Sequence, residues 1–479
     1  MPDLEVKVIG YPQSVYEFTY GESYIFYAIS RHKVVSVNED GATILNFARN
    51  YQEVNEIIAK CAEKYHLSPE VVRPGVISFL NEMTAAGFLF AGGNEVEEET
   101  NPDSVPKAEV KLKRLYLHLT NKCNQECRYC YNQTFRTAND HKTELTLAEF
   151  EEIIQEFSDI GGESIVFTGG EPLLSPGLLK LAAQAKKIGL RTNLLTNGTL
   201  CTAENAPDIC KNFDLIVVSL DSKHQEEHDY LRGSHTYART VAGIRALSNF
   251  LRENPSLETK LECRPVINRE NIDHILDYPQ FITEELGCFR AIPTAYVPND
   301  LSEFNNGLFL SFPELLPTLL QFHAKMAQLG GTVENDLLKL QQLPRCSACS
   351  SIISIAPDGS IYPCQSLHYS DLVVGNIREG RLDQIVARSP VSRFFHEFHY
   401  SQIRICNECP LGPICGGGCR ALAYTYYHDL HAHNEIYCPF FRQKLEFGLW
   451  QKTLRDSWEQ ESLSGAGQEQ RTCESNCRS

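Results

Sequence analysis

The chain has 479 residues, of which 42% are hydrophobic, and this length is sufficient for two or three domains with substantial cores. The formal net charge of −17 argues against a protein that wraps a nucleic-acid backbone, because that role favours clustered lysine and arginine. The sequence begins without the basic-then-apolar pattern of a signal peptide and contains no long apolar run, so we expect a soluble, cytoplasmic protein with neither nucleic acid nor membrane as a partner.

The first 91 residues form a small unit of their own. Three short stretches rich in aromatic and β-branched residues, "VYEFTYG", "SYIFYAI" and "HKVVSVN", predict strands. Three helical patterns follow, and the last begins with Ser68 as N-cap and ends at Gly87. The predicted order is therefore βββααα, as in a winged-helix-like domain. Residues 92–113 are charged, poor in apolar residues and contain two prolines, which is typical of a linker.

From Arg114 to residue 335 the pattern changes to strand, loop and helix, repeated six times. The predicted strands are "RLYLHLT", "SIVFT", "RTNLLT", "LIVVSL", "KLECRPVI" and "FRAIPT", and helices are predicted at 146–160, 175–188 and 237–252. Repeated β/α units imply a parallel sheet with right-handed crossovers. Six units predict an α/β fold, a partial (β/α)6 barrel, in which ligand chemistry lies in the loops after the strands.

Unusual residues occupy four successive loops of this predicted barrel. Three cysteines follow the first strand, "GGEPL" from Gly169 follows the second, and "TNGT" from Thr196 follows the third. Ser219 and Asp221 of "VSLDS" end the fourth strand. Each stretch by itself is compatible with an ordinary turn, but four in phase on one rim of a barrel predict a single site.

The first loop contains three cysteines and no fourth ligand. Cys123, Cys127 and Cys130 are spaced by three and then two residues, so that one short loop can fold around the corners of an iron–sulfur cube. A [4Fe–4S] cluster held by three thiolates keeps one iron free for a substrate. An open zinc site is the other possibility that the spacing permits.

This cysteine pattern, with the aromatic Tyr129 before the last cysteine, resembles the signature of radical S-adenosylmethionine (SAM) enzymes. In that family the open iron binds the amino nitrogen and carboxylate oxygen of SAM. One electron from the cluster then cleaves the cosubstrate to a 5′-deoxyadenosyl radical, which abstracts a hydrogen from the substrate. The resemblance implies that the three thiolates hold the cluster and that the vacant ligand position belongs to SAM.

The other residues of the rim resemble positions of the same family. Residues 169–171 resemble its "GGE" motif, whose glycines permit close backbone approach and whose glutamate accepts from the SAM ammonium. Ser219 resembles a serine that contacts SAM, and Arg232 an arginine that pairs with the SAM carboxylate. Asn197 is a candidate for a ribose or carboxylate contact. The SAM contacts implied by the resemblance are Tyr129, Gly169, Gly170, Glu171, Asn197, Ser219 and Arg232.

Residues 336–452 are rich in cysteine, include a predicted hairpin turn at "PDGSI", and resemble the SPASM extension of the radical SAM family. The cysteines that match are Cys346, Cys349, Cys364, Cys406, Cys409, Cys415, Cys419 and Cys438. Eight thiolates suffice for two fully ligated auxiliary [4Fe–4S] clusters, which gives three clusters in all. The resemblance assigns Cys346, Cys349, Cys364 and Cys419 to the first and the others to the second. The spacing alone also permits zinc knuckles.

The front domain resembles the PqqD-like peptide-recognition domain of enzymes that modify ribosomally made peptides. Its order of strands and helices carries the resemblance. The implied partner is a precursor peptide, whose leader adds as a strand to the exposed edge of the three-stranded sheet and packs against the third helix. A winged-helix domain with a purely structural role is the alternative.

Together these resemblances imply a radical SAM maturase that installs a thioether or carbon–carbon crosslink in a leader-bound precursor peptide. An electron donor such as flavodoxin or ferredoxin is implied as a second partner. A sulfatase-maturing enzyme is an alternative, but that family places an aspartate after the cysteine that matches Cys364, and this chain has Gln365. A non-catalytic iron–sulfur electron carrier is a further alternative. Residues 453–479 are predicted to be a polar tail.

Overall fold

The structure is a computed structural model, and it describes residues 8–11, 15–29, 33–50, 52–91, 111–130, 132, 144–330 and 346–464. The chain divides into two compact units. The smaller unit comprises residues 1–105, 408–415 and 441–479, and the larger comprises 106–407 and 416–440. Most of the predicted linker and the terminal residues Cys473 and Cys477 lie outside the described residues.

The smaller unit contains the three predicted strands as one antiparallel sheet in the order β2–β3–β4. These strands are β2 (Val15–Tyr20), β3 (Ser23–Ala28) and β4 (Lys33–Val37). The sequence did not predict a second small sheet, which is formed by β1 (Val8–Gly10), β5 (Gln52–Glu53) and β6 (Phe90–Ala91). Strands of two or three residues are too short to show an alternating pattern, so the sequence carries little signal for them.

Three helices follow the sheet as predicted: α1 (Glu39–Phe47), α2 (Val54–Tyr65) and α3 (Pro69–Ala85). The side chain of Asn38 caps α1 by accepting from the N–H of Gly41 at 2.9 Å. A Cβ atom at Gly41 would lie 2.8 Å from Val37 of β4 and 2.9 Å from the ring of Phe79 of α3. Only glycine therefore fits where α1, β4 and α3 meet.

The larger unit is built on a nine-stranded sheet in the order β13–β11–β10–β9–β8–β7–β15–β16–β17. The strands are β7 (Arg114–His118), β8 (Ser164–Thr168), β9 (Arg191–Thr196), β10 (Leu215–Val218), β11 (Lys260–Cys263), β12 (Val266–Ile267), β13 (Arg290–Ala291), β14 (Thr294–Ala295), β15 (Ile352–Ile355), β16 (Ser360–Tyr362) and β17 (Gly375–Asn376). The strands from β7 to β13 pair in parallel. The predicted partial barrel is thereby confirmed.

Helices of seven or more residues cover this sheet and complete the unit. They are α4 (Leu147–Asp159), α5 (Leu178–Lys187), α6 (Ala206–Asn212), α7 (Gln225–Arg232), α8 (Tyr237–Glu253), α9 (Phe312–Gln328), α10 (Leu382–Arg388), α11 (Pro390–Glu397), α12 (Arg420–Tyr427) and α13 (Cys438–Ser464), whose residues from Phe441 belong to the smaller unit. Short helical turns occur at Tyr278–Gln280, Arg404–Asn407 and Gly412–Cys415. No helix within the described ranges has the length and apolar character needed to cross a bilayer.

Two of the predicted strands are interrupted. The stretch "KLECRPVI" forms β11 and β12 on either side of Arg264–Pro265, and "FRAIPT" forms β13 and β14 around Pro293. Proline has no backbone N–H to donate to a neighbouring strand, which accounts for both interruptions. Strands β12 and β14 then pair with each other in parallel.

The predicted hairpin after the barrel is confirmed, and it extends the barrel sheet. Strands β15 and β16 are antiparallel, and Gly359 between them has a φ of +84°. Strand β15 pairs in parallel with β7, so that Ile353 lies opposite Leu115. This pairing joins residues more than two hundred positions apart, and the local sequence pattern does not reveal it.

Candidate functional site

The cysteine loop begins where β7 ends, at the centre of the barrel sheet. Its backbone is fixed by the neighbouring loop after β8: the N–H of Gly170 donates to the carbonyl of Thr120 at 2.7 Å, and the N–H of Glu171 donates to that of Lys122 at 2.8 Å. The two loops thus run side by side and bond to each other like strands. The position of Cys123 therefore depends on the "GGE" stretch.

The two glycines of that stretch are required by this close approach. A Cβ atom at Gly169 would lie 2.4 Å from the carbonyl oxygen of Thr120, and one at Gly170 would lie 2.1 Å from that of Lys122. Gly169 also has a φ of +133°, a conformation that favours glycine. The sequence analysis expected close backbone approach at these glycines, and the backbone that approaches in the structure is that of the cysteine loop.

Glu171 is buried, with 1% of its surface exposed, and its carboxylate joins the loops after β8 and β9. It accepts from the hydroxyl of Thr196 at 2.7 Å, from the N–H of Asn197 at 2.8 Å and from the N–H of Leu173 at 3.1 Å. Burial raises the pKa of this carboxyl, and the three hydrogen bonds oppose that rise. The structure therefore shows a loop-bracing role for Glu171.

Asn197 reaches the cysteine loop from the end of β9. Its amide nitrogen donates to Oδ1 of Asn124 at 2.8 Å and lies 4.0 Å from the sulfur of Cys123. The half-buried Ser219 follows β10 on the same rim and donates its N–H to the carbonyl of Thr196 at 3.0 Å. The residues predicted after β8, β9 and β10 are thus brought to one end of the sheet.

A buried ion pair lies beside the second cysteine, Cys127. Nε of Arg232 is 2.5 Å from Oδ2 of Asp221, and Nη2 is 3.2 Å from Oδ1. Nη1 of Arg232 lies 3.9 Å from the sulfur of Cys127, and the hydroxyl of Tyr129 donates to Asp221. The Arg232 guanidinium lowers the pKa of Asp221 against the opposing effect of burial.

The contacts of Asp221 were not predicted by the sequence analysis. "VSLDS" placed it on the rim, but nothing in that stretch identified Arg232 and Tyr129 as its partners. Asp221 is fully buried and also accepts from the N–H of Val266 at 3.0 Å. The guanidinium group of Arg232 therefore binds the carboxylate of Asp221 in the structure. The sequence analysis had instead assigned this group to the carboxylate of SAM.

Four cysteines of the C-terminal segment gather within the larger unit. Burial raises the thiol pKa of Cys346 to about 11 and that of Cys349 to about 12. Burial also raises the pKa of Cys364 well above its ordinary value. The charges of Cys346, Cys349 and Cys419 also raise the pKa of the Cys364 thiol, so the four thiols interact electrostatically. They are the same four that the sequence analysis grouped as the first auxiliary set.

The second predicted set is divided between the two compact units. Cys406 and Cys438 belong to the larger unit, and Cys409 and Cys415 belong to the smaller. Cys406 is buried in a small apolar cluster with Phe398 and Ile403. Within the smaller unit the carbonyl of Cys409 accepts from the N–H of Gly412 at 2.8 Å, which begins the helical turn that carries Cys415.

The sheet of the smaller unit has two unlike edges. At β2, Tyr16 bonds to Arg442 and Glu446 of α13, and the ring of Tyr20 stacks on Trp450 with centroids 4.8 Å apart. Within the described residues, β2 and β4 are both edge strands that pair only with β3, so the contacts with α13 are what distinguishes them. Helix α3 of the same unit exposes Val71, with 62% of its surface accessible. Among the residues that the structure describes, no other strand uses the outer backbone groups of β4, and a further strand can bind there.

Three segments of the chain match known protein families. Residues 117–278 match the radical SAM superfamily, residues 346–410 match the iron–sulfur cluster-binding domain SPASM, and residues 23–89 match coenzyme PQQ synthesis protein D, PqqD. The three matches lie within the predicted partial barrel, cysteine-rich segment and front domain, respectively.

Curated relatives include AdoMet-dependent heme synthases. That of Oleidesulfovibrio alaskensis is 25% identical over 68% of this chain and 87% of its own length, and that of Methanosarcina barkeri is 25% identical over 67% and 95%. Among solved structures, anSMEcpe with bound AdoMet has a TM-score of 0.58 at 18% identity and covers 72% of this chain and 99% of its own.

Streptococcus suis SuiB is a second similar structure. Bound to its precursor peptide SuiA, it has a TM-score of 0.56 at 14% identity and covers 90% of this chain and 99% of its own. At these identities the structural likeness shows a common fold, namely the radical SAM and SPASM architecture that the cysteine spacing predicted.

Proposed function

We propose that this chain, which carries a radical SAM domain, a SPASM domain and a PqqD-like domain, is a maturase that oxidatively crosslinks a ribosomally made precursor peptide. The observation that carries the proposal is the presence of two unlike sites in one chain. One is a rim of cysteines and buried polar residues at the end of a parallel sheet. The other is an open strand edge beside a helix with exposed apolar surface.

Cys123, Cys127 and Cys130 would hold the first [4Fe–4S] cluster. The donor set fits this group, because it consists of three thiols with one basic residue, Arg232, 3.9 Å from the sulfur of Cys127. When bound, the cluster and SAM supply the 5′-deoxyadenosyl radical. The role of the protein here is to place the three sulfurs, and the Gly169–Gly170 stretch does so by bonding to the loop that carries them.

The rim residues divide into two roles in this proposal. Arg232 would attract the SAM carboxylate, and Asp221 would hold the guanidinium group of Arg232 in position. Tyr129, which bonds to Asp221, would lie beside the bound SAM. Glu171 has both carboxylate oxygens engaged by the loop after β9, so we assign it mainly to bracing that loop. Asn197 and Ser219 remain candidates for direct contacts with SAM.

The eight C-terminal cysteines would hold two auxiliary [4Fe–4S] clusters. Support for the first is the electrostatic interaction of Cys364 with Cys346, Cys349 and Cys419 within the larger unit. The proposed role is to accept the second electron of the peptide oxidation, because four protein thiolates per cluster leave no iron open for a substrate. A flavodoxin or ferredoxin is the proposed source of the first electron.

The leader of the precursor peptide would add as a strand to β4. We assign the leader to β4 and not to β2, because the side chains of Tyr16 and Tyr20 on β2 contact α13. A strand on β4 gains main-chain hydrogen bonds for affinity, and side-chain contacts with α3 for specificity. The product would be a thioether or carbon–carbon crosslink in the core of the peptide.

Haem synthesis is a second candidate, favoured by the 25% identity to AdoMet-dependent heme synthases. The PqqD-like segment and the open edge at β4 favour a peptide instead. A sulfatase-maturing reaction is disfavoured because Gln365 stands where that family has its aspartate. A simple electron carrier has no use for the buried Asp221–Arg232 pair beside the cysteine triplet.

The proposal is tested by incubating anaerobically reconstituted, reduced protein with SAM and leader-bearing peptides from the short reading frames beside the gene. The expected result is 5′-deoxyadenosine formed together with a peptide that has lost a pair of hydrogens. Cosubstrate cleavage without any peptide product, combined with conversion of a haem precursor, would instead support haem synthesis. Absence of cleavage in cluster-loaded protein would support the electron carrier.

A further inference from the structure

Among the residues that the structure describes, one group of side chains outside the sites above is arranged as metal ligands. Candidate ligand atoms of His224, Glu227 and His274 all lie within 4.8 Å of one another. His224 is the N-cap of α7, and Glu227 follows three positions later, so both side chains lie on the first turn of that helix. His274 comes from the loop after β12. We propose that these three residues bind a divalent transition-metal ion of the zinc class.

The bonding pattern is incomplete without an ion. Nδ1 of His274 lies 2.5 Å from Oε1 of Glu227, so these two already attract each other. Nε2 of His224 is buried and has no hydrogen-bond partner, although its ring lies 4.9 Å from that of His274. The hydrogen bond between Glu227 and His274 alone leaves that nitrogen of His224 unsatisfied, whereas a metal ion accepts all three ligands.

The two segments that carry the ligands are held together independently of any metal. Asn271, three residues before His274, donates to the carbonyl of Asp221 at 2.9 Å. Ser222 donates to Oε2 of Glu227 at 2.5 Å, which fixes the carboxylate and leaves Oε1 for the ion. Such outer hydrogen bonds orient metal ligands in known sites. The site is therefore largely preformed.

Access and donor type define the ion. The side chain of His274 is 56% exposed, so an ion can enter and the imidazole can adjust its position. Two imidazoles and one carboxylate are donors typical of zinc, with bonds of roughly 2.0–2.2 Å and water in the fourth position. The ion would fasten the first turn of α7 to the loop with His274. Helix α7 ends at Arg232, so the metal would steady the helix that carries this arginine.

The test uses the complete, cluster-loaded protein, dialysed anaerobically against buffered free zinc and then analysed for bound zinc. We expect the unaltered protein to bind one more zinc per chain than the double variant His224→Ala/His274→Ala. The matched variant His66→Asn, altered at an exposed histidine of the smaller unit, should retain that zinc. Ser222→Ala should weaken zinc binding by about 10–100-fold. Equal zinc in the unaltered protein and the double variant would overturn the proposal.

Zinc-edge X-ray absorption of the unaltered protein decides the question even where a variant folds poorly. The expected spectrum shows nitrogen and oxygen neighbours at roughly 2.0–2.1 Å, with the multiple scattering of imidazole. A shell of sulfur neighbours at roughly 2.3 Å would place the zinc on cysteines and contradict the proposal. Because neither readout measures peptide modification, the result is independent of the proposed function.

Discussion

The proposed function needs two sites, and they are built in opposite ways. One is the rim with the cysteine triplet and the loops after β8, β9 and β10, and the other is the edge strand β4 of the front domain. At the rim the two buried carboxylates are engaged inside the protein: Glu171 accepts three hydrogen bonds, and Asp221 holds the guanidinium group of Arg232. In the front domain, as far as the structure describes it, β4 pairs on one side only, and Val71 of α3 is exposed. A site that positions a small cosubstrate must be rigid, whereas a site that recruits a peptide must leave bonds to be made.

This difference predicts that variants at the rim abolish chemistry, whereas variants at the edge weaken capture only. The largest effect is expected from replacing Cys123, Cys127 and Cys130 by Ala. We expect the loss of roughly one third of about twelve irons and of all SAM cleavage, because these thiolates hold the only cluster proposed to have an open iron. Iron analysis and 5′-deoxyadenosine assays measure both. The control variant Cys210→Ala, altered at a buried core thiol of the same barrel, should keep its iron. Undiminished SAM cleavage in the triple cysteine variant would refute the assignment of the radical site.

The next largest effect is expected from Asp221→Asn. It leaves the buried Arg232 charge uncompensated, which costs about 3–5 kcal/mol of stability and should greatly weaken SAM binding. Glu262→Gln breaks comparable buried pairs on β11, with Arg290 at 2.6 Å and Arg264 at 3.2 Å. It should lower stability but leave SAM affinity unchanged. Denaturation and equilibrium binding measure the two quantities, and equal SAM affinities for the two variants would contradict the role given to Asp221.

The same ion pair has a pH signature. Because Arg232 holds the pKa of Asp221 below its ordinary value of about 3.9, the stabilisation is fully present above that pH. It is lost as the pH falls through the depressed pKa of the folded state. Asp221→Asn should therefore show a shallower loss of stability below about pH 4 than the unaltered chain. Parallel acid titrations of the two proteins in their cluster-free form measure this difference, and identical curves would show that Asp221 does not titrate as described.

An intermediate effect is expected from Cys409→Ala, which removes one proposed ligand of the second auxiliary cluster. SAM cleavage should persist, because the ligand lies outside the strand-end rim, while modified peptide should become scarce. Product analysis by mass spectrometry measures both species. The iron content and solubility of the variant must be compared first, since loss of a cluster can unfold its segment. Peptide modification at the normal rate would refute an auxiliary role in turnover.

The smallest effect is expected from Val71→Glu at the recognition edge. Loss of one apolar contact of this size should weaken leader binding by about tenfold or more. SAM cleavage without peptide should be unchanged. Leu320→Glu, at an exposed position of α9 in the barrel, is the matched control and should bind the leader normally. Calorimetric titration measures the affinities, and equal binding by both variants would exclude Val71 from the docking surface.

The two regions also differed in how far the sequence could predict them. Cysteine spacing and "GGE" identified the rim, because thiolates and close-packed glycines are required at fixed positions. The pairing of Asp221 with Arg232 and the alignment of β15 with β7 were missed, because both depend on distant parts of the chain. At the front domain the three strands of the β2–β3–β4 sheet were predicted correctly, whereas the small sheet of β1, β5 and β6 was missed. The contacts of Tyr16 and Tyr20 with α13, which distinguish the two edge strands, were also missed, because the local pattern contains no signal for them.

The most direct test of the central claim compares a leader-bearing precursor with its leaderless core as substrates of the intact protein. This comparison is cleaner than deleting residues 1–91, which would uncover the side chains of α13 that contact Tyr16 and Tyr20. A docked leader supplies the core peptide at roughly millimolar effective concentration. The account predicts that removal of the leader raises KM by about 100-fold or more and leaves kcat at saturation nearly unchanged. Equal KM values for the two peptides would show that the front domain does not recruit the substrate.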